Sequence, residues 1–122
     1  MRILFIDDEA EIVMSLIDCF EAKGVDCIGA INYEDAIKQL EISKFDVIVS
    51  DYNIETHKCA VDVIEFVKAN EVRLGSPRVV VYSGQPANFL ERVLVSCGYS
   101  KATFACKPEL AVLSQKIKSD AA

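Results

Sequence analysis

Apolar residues recur along this chain in two rhythms. Short, nearly unbroken apolar runs at 2–6, 25–30, 45–51, 78–82 and 102–106 are rich in β-branched residues. Such runs read as strands covered on both faces. Between them the apolar residues follow helical spacing. Ile12, Val13, Leu16, Ile17 and Phe20 share one face of a helix over 9–23, which Gly24 ends as a left-handed cap. Asn32, with Asp35 three residues on, opens a second helix to about 43, with Ala36, Ile37 and Leu40 inward. After a loop over 52–58, a third helix over 59–70 buries Ala60, Val63, Ile64 and Val67, and Gly75-Ser76-Pro77 breaks the chain. Pro86 suits the first turn of a fourth helix, which carries Phe89, Leu90, Val93, Leu94 and Cys97 and is capped by Gly98. Lys107-Pro108 leads into a fifth helix with Leu110, Leu113 and Ile117 inward, followed by a short polar tail over 118–122.

The order is strand then helix, five times over. Alternation with buried strands predicts an α/β fold, a doubly wound parallel sheet wrapped by helices through right-handed crossovers. Its 122 residues fit one domain over 1–122, with no output domain expected, and an apolar fraction of 52% is enough for a core. A net charge of −6 disfavours non-specific contact with nucleic acid or an anionic membrane. No apolar run has membrane-spanning length and no signal peptide precedes the first strand, so a cytoplasmic location is expected. The five cysteines are odd in number and form no C-x-x-C pair, so they read as reduced small hydrophobes.

Chemistry gathers at the strand ends. The first strand runs into Asp7-Asp8, the third ends at Asp51, the fourth at Ser83 and the fifth at Lys107. In open α/β sheets the carboxyl ends of the strands are where ligands bind. Carboxylates about 4 Å apart repel by roughly 4 kcal/mol per pair at an effective dielectric of 20, so such a cluster needs compensating charge. Three acids outweigh Lys107 by two charges, which a divalent cation cancels. Hard oxygens suit Mg²⁺, which binds one or two carboxylates together with phosphate oxygens. Asp51 then becomes a carboxylate nucleophile towards phosphorus, with Mg²⁺ and Lys107 sharing the charge on the phosphoryl oxygens and Ser83 donating a hydrogen bond to them. The plainer readings are that Asp8 and Glu11 form a capping box, that Ser83 starts a turn, and that Lys107 neutralises a structural acid cluster.

At these residues the chain resembles the receiver domains of two-component response regulators, the CheY-like superfamily. The matching pieces are ILFIDDE, VIVSDYN with Asp51, VVYSG with Ser83-Gly84, and FACKP with Lys107 before a proline. The resemblance implies a flavodoxin-like five-stranded sheet of order 2-1-3-4-5 with five helices. It implies that Asp51 accepts a phosphoryl group from a phosphohistidine on a histidine kinase or a histidine phosphotransfer protein. Asp8, Asp51 and the backbone carbonyl of Asn53 would hold Mg²⁺, with Asp7 acting largely through water. Ser83 and Phe104 would form the switch pair, and Asn53 and Gln85 would tune the lifetime of the phosphorylated form. Phe104 stands where the family often has Tyr, so any partner contact through that hydroxyl is missing.

One departure follows the acceptor. The family usually shows Met-Pro and then Gly before the third helix; here the run is Asn53-Ile54-Glu55-Thr56-His57-Lys58-Cys59. It brings Glu55 and His57, the only histidine, close to Asp51 in sequence, as candidate modulators of phosphoryl loss or as plain loop residues. The signal would leave through binding at the face of the fourth helix, fifth strand and fifth helix, where Val95 and Val112 lie off the inward stripes. That face would hold a downstream protein, or a second copy upon phosphorylation. Three other readings are open. A degenerate receiver would bind partners without phosphorylation and fail to bind Mg²⁺. A phosphohydrolase with an aspartyl-phosphate intermediate wants Asp-x-Asp where this chain has Asp51-Tyr52-Asn53. A flavin or nucleotide binder wants a Gly-rich cradle rather than an acidic first loop.

Overall fold

The computed structural model describes residues 1–118; all but the first residue of the expected polar tail lies outside them. The chain runs β1 (Arg2–Ile6), α1 (Ala10–Glu21), β2 (Asp26–Ala30), α2 (Tyr33–Ile42), β3 (Val47–Ser50), β4 (Asn53–Glu55), β5 (Lys58–Cys59), α3 (Ala60–Ala69), α4 (Glu71–Leu74), β6 (Arg78–Ser83), α5 (Ala87–Cys97), β7 (Ala102–Cys106) and α6 (Leu110–Lys118). Five strands form one parallel sheet in the order β2-β1-β3-β6-β7, the 2-1-3-4-5 order of the sheet strands taken in sequence. The flavodoxin-like architecture is as expected.

The alternation of side chains along fully buried strands gives the sheet two apolar faces. Ile3, Phe5, Val47, Val49, Val80 and Tyr82 pack under α1 and α6 with Val13, Leu16, Phe20, Leu113 and Ile117. Leu4, Ile6, Ile48, Val79 and Val81 pack under α2, α3 and α5. At Gly29 in β2 the side chains of α1 press close against the sheet. A Cβ there would lie 2.4 Å from Cγ1 of Val13 and 3.1 Å from Cδ1 of Ile17. Val13 is β-branched and cannot swing away cheaply. Gly29→Ala is therefore expected to destabilise the protein by about 1–3 kcal/mol, the usual cost of overpacking. A denaturant midpoint equal to wild type would contradict this.

Several expectations need correction. Among the described residues there are six helices rather than five: α4 is a four-residue turn after α3, closed by Gly75 with φ +81°. The loop after β3 is a hairpin, β4 antiparallel to β5, with a register irregularity between Asn53 and Glu55. Its turn at Thr56-His57 uses no residue with positive φ, so it lacks the glycine signal by which hairpins are read from sequence. Ile54 anchors it, fully buried in the core on the α2/α3/α5 side. The third helix begins at Ala60, with Cys59 preceding it and donating its backbone N–H to the Asp62 carboxylate at 2.8 Å. Helix α1 starts at Ala10 after Glu9 without a side-chain cap, so the Asp8–Glu11 capping box does not form. Pro86 stands one place before α5. Val95 is 77% exposed, but Val112 is half-buried against the α1/α6 side of the core and adds little to an outer face.

All five cysteines are free, with Cys27 and Cys97 buried. Burial, assisted by Glu21 and Asp26, pushes the Cys27 thiol up to about 11, which suits an inert packing residue. Among the described residues no helix is long and apolar enough to cross a membrane.

Candidate functional site

The site follows from register. Strands β1 and β3 are neighbours because the chain turns outward to β2 and then crosses back, leaving a crevice at their carboxyl ends. Ile6 pairs with Ser50, so the residues that follow, Asp7 and Asp51, emerge side by side. The Asp51 N–H donates to the Ile6 carbonyl at 2.9 Å, extending the ladder by one residue. On the far side Ser83 pairs with Cys106, and the Lys107 N–H donates to the Ser83 carbonyl at 2.8 Å. Four strand ends thus deliver Asp7, Asp8, Asp51, Ser83 and Lys107 to one edge.

Asp7, Asp8 and Asp51 each offer a carboxylate oxygen within 4.8 Å of the others. Asp7 is buried, Asp51 half-buried and Asp8 exposed. The Lys107 ammonium bridges two of them, 2.8 Å from Oδ2 of Asp7 and 3.5 Å from Oδ2 of Asp51. Oδ1 of Asp7 accepts from the Glu9 N–H at 3.0 Å, and Oδ1 of Asp51 accepts from the Tyr52 N–H at 2.7 Å. These bonds leave Asp8 with no capping duty and aim one oxygen of Asp51 towards the amine. Burial pushes the Asp51 carboxyl up; Lys107 pulls it down, and the neighbouring Asp7 charge adds to the rise. For Lys107 burial acts against the ammonium, but the bond to Asp7 and the charge of Asp51 outweigh it and hold its pKa above the ordinary 10.5.

Ser83 is buried, and its Oγ accepts from the Gln85 N–H at 3.2 Å. Phe104, in β7, is half-buried against the core on the α2/α3/α5 side. Asn53 is exposed at the start of β4. Glu55 and His57 do not join the group of ligating oxygens. The Glu55 carboxylate instead accepts from the Tyr33 N–H at 2.9 Å, satisfying a donor at the first turn of α2, while His57 is exposed in the hairpin turn. Lys58 reinforces this docking, its ammonium 4.7 Å from the Tyr33 ring centroid.

Two contributors have no signal in the sequence. Buried Ser50 donates its Oγ to the Asp51 carbonyl at 2.8 Å, holding the backbone just past the sheet. Tyr82 places its ring 5.8 Å from the Lys107 ammonium. Both act through space at a strand end, which periodicity alone does not reveal.

No protein-family model and no curated protein matches this sequence. Solved structures do match. A response regulator receiver protein from Pseudomonas putida is 23% identical and superposes with a TM-score of 0.82, over 98% of this chain and 96% of that one. The signal receiver domain of a signal transduction histidine kinase from Syntrophus aciditrophicus is 20% identical with a TM-score of 0.81, over 97% and 87%. A response regulator from Burkholderia pseudomallei, solved with a phosphorylated aspartic acid, a calcium ion and citrate, is 20% identical with a TM-score of 0.79, over 98% and 68%. At these identities the likeness defines the fold. It is the fold of response regulator receiver domains, carried over nearly the whole chain.

Proposed function

We propose that this chain is a phosphoacceptor receiver, in which a phosphoryl group passes from a phosphohistidine of a histidine kinase or phosphotransfer protein to Asp51 and thereby switches partner binding. The observation that carries this reading is the bridging of Asp7 and Asp51 by one ammonium, beside a third carboxylate, at the crevice between β1 and β3.

The donor set fits a hard divalent cation: three carboxylates, one ammonium, and no thiolate or imidazole among the ligating groups. Asp8, Asp51 and the Asn53 carbonyl would hold Mg²⁺, with Asp7 acting through water, and the ion would supply charge neutralisation for the incoming phosphoryl oxygens. Asp51 is the nucleophile: its carboxylate oxygen forms the new O–P bond as the bond from phosphorus to the donor imidazole breaks. Lys107, already committed to the charged form, moves its hydrogen bond from carboxylate to phosphoryl oxygen without any proton transfer. Ser83 exchanges the Gln85 N–H for the phosphoryl group, and the space it vacates allows Phe104 to shift inward. Asn53 and Gln85 would set the rate of water attack; Glu55 and His57 would act on that rate only indirectly, through the hairpin. Readout would occur on the α5, β7 and α6 face, by a downstream protein or a second copy, in the cytoplasm and with no turnover of a separate substrate.

Treatment with acetyl phosphate and Mg²⁺ should add the mass of one phosphoryl group to the intact protein, and hydroxylamine should remove it, because an acyl phosphate reacts with that nucleophile and a phosphate ester does not. No mass gain, together with no Mg²⁺ binding, would instead leave a receiver that binds its partners without being modified.

A further inference from the structure

The hairpin of β4 and β5 begins two residues after Asp51, and its own ladder does not fix its path. Asn53 pairs with Cys59 and Glu55 with Lys58, so Ile54 is an extra residue on β4 with no residue opposite it. An extra residue of this kind interrupts the ladder and bends the strand, so contacts outside the hairpin decide where it points. Ile54 is fully buried in the core on the α2/α3/α5 side. The Glu55 carboxylate accepts from the Tyr33 N–H at 2.9 Å. The Lys58 ammonium lies 4.7 Å from the centroid of the Tyr33 ring, which itself packs against that core.

Both polar contacts fall on the first residue of α2. A helix leaves its first four N–H groups without partners inside it, and that end carries partial positive charge, so a carboxylate is a favourable partner there. Asn32 takes the Asp35 N–H, and Glu55 takes the Tyr33 N–H from 22 residues away in sequence. Around these contacts the hairpin and the helix stand apart. A cavity of about 370 Å³ lies between them, lined by Asn32, Tyr33, Glu34, Glu55 and Lys58. Glu55 and Lys58 therefore bridge a gap that packing does not fill. Asn53 sits between fixed points. Before it, the Tyr52 N–H donates to Oδ1 of Asp51 and the Tyr52 carbonyl accepts from the Ala60 N–H at 2.8 Å. After it come the anchors at Ile54 and Glu55.

We propose that Glu55 is a positioning residue for a divalent ion at the acid cluster: by fastening the hairpin to α2 it holds the Asn53 carbonyl in the direction the ion requires. This rests on the phosphoacceptor reading of that crevice, with Asn53 among the ion's ligands. Mg²⁺ demands near-ideal octahedral geometry, so a carbonyl free to turn away binds it less well. Linkage is reciprocal: a clamp that favours the ion is itself tightened when the ion binds.

The test compares Mg²⁺ titrations of ¹⁵N-labelled wild type, Glu55→Ala and Glu55→Gln, with amide hydrogen exchange measured with and without the ion. Glu55 is exposed, so both variants keep the fold. Both remove one negative charge, but Gln keeps an acceptor for the Tyr33 N–H. Glu55→Ala should bind Mg²⁺ about tenfold more weakly, the low end for groups that orient metal ligands, and Glu55→Gln should stay within about threefold of wild type. Mg²⁺ should slow exchange of the Tyr33 amide in wild type and not in Glu55→Ala. Asn32→Ala loosens the same end of α2 without removing either hairpin contact, and should leave the affinity unchanged. Equal losses in Glu55→Ala and Glu55→Gln would assign the effect to charge, and an equal loss in Asn32→Ala would assign it to a loosened helix. Either result overturns the proposal, as does an unchanged affinity in Glu55→Ala. No Mg²⁺ binding by wild type would overturn the reading of the acid cluster itself, and this inference with it.

Discussion

An Asp51→Asn protein is expected to take up no phosphoryl group from acetyl phosphate and Mg²⁺, and yet to be more stable than wild type near neutral pH when no divalent ion is present. The first half follows because a carboxamide is no nucleophile towards phosphorus while keeping the shape of the side chain. The second follows from where the carboxylate sits. Burial, and then the Asp7 charge, hold the Asp51 carboxyl above its ordinary value of 3.8 despite the pull of Lys107. A raised carboxyl contributes stability that is present below its unfolded pKa and lost as pH rises through its folded pKa. Neutralising it permanently removes that loss. The gain should be seen as a higher urea midpoint near neutral pH, should shrink as the pH falls through the raised folded pKa towards 3.8 and be gone below it, and should be reversed by Mg²⁺, which stabilises wild type more than the variant. Unchanged phosphoryl uptake would mean that another residue is the acceptor. A lower midpoint near neutral pH would mean that the cluster is not electrostatically strained.

Lys107→Met should do the opposite. It removes the one cation that offsets the three carboxylates and leaves Asp7, whose side chain is only 4% exposed, without its 2.8 Å partner. Removing one member of a buried ion pair costs about 3–5 kcal/mol; the Lys107 side chain is 23% exposed, so about 2–4 kcal/mol is expected here. The methionine keeps apolar bulk beside Tyr82, which isolates the loss of charge from a loss of packing. Because the cluster is then more negative, Mg²⁺ should bind more tightly and recover most of the lost stability. Phosphoryl uptake should fall by roughly 100-fold or more, the effect of losing one donor to a developing oxyanion. Alkaline pH gives an internal check. A raised lysine stabilises below its unfolded pKa and ceases to as pH rises through the folded one, so wild type should lose stability above 10.5 by a component absent from Lys107→Met. Equal stability and equal Mg²⁺ affinity in the two proteins would show that Lys107 does not couple to the acids.

The parts of the molecule that were legible in advance are those governed by local periodicity. Runs such as Val47-Ile48-Val49-Ser50 are covered on both sides in the fold, so every position is apolar or small and the strand is plain in the chain. Asn32 caps α2 through the Asp35 N–H at 2.7 Å, as its residue type and spacing required, and Gly98 takes positive φ as the cap of α5 because other residues do so at a cost; α1 instead ends on Ala22 in a right-handed conformation, with Gly24, at φ +82°, in the turn beyond it. The hairpin over β4 and β5 was not legible. Its strands are three and two residues long, its turn lacks glycine, and its single apolar anchor, Ile54, is too short a pattern to count. The Asp8–Glu11 capping box was a false local signal: both residues stand at the right spacing, but Asp7 accepts the Glu9 N–H and the helix begins beyond Asp8.

From its own letters, then, the chain specified the five strands of the main sheet and the five longer helices, about where each stops, and which acid, hydroxyl or amine stands at the strand ends. Those features depend on neighbours within a few residues. What only the folded chain decided is which stops meet: the pairing of Ile6 with Ser50 and of Ser83 with Cys106 sets Lys107 between Asp7 and Asp51. It also decided that Glu55 turns to α2, and that the Arg78 guanidinium in β6 donates to the α6 carbonyls of Lys116 and Ile117. Those contacts join residues far apart in sequence, and they arise only when the crossovers have laid one strand beside another.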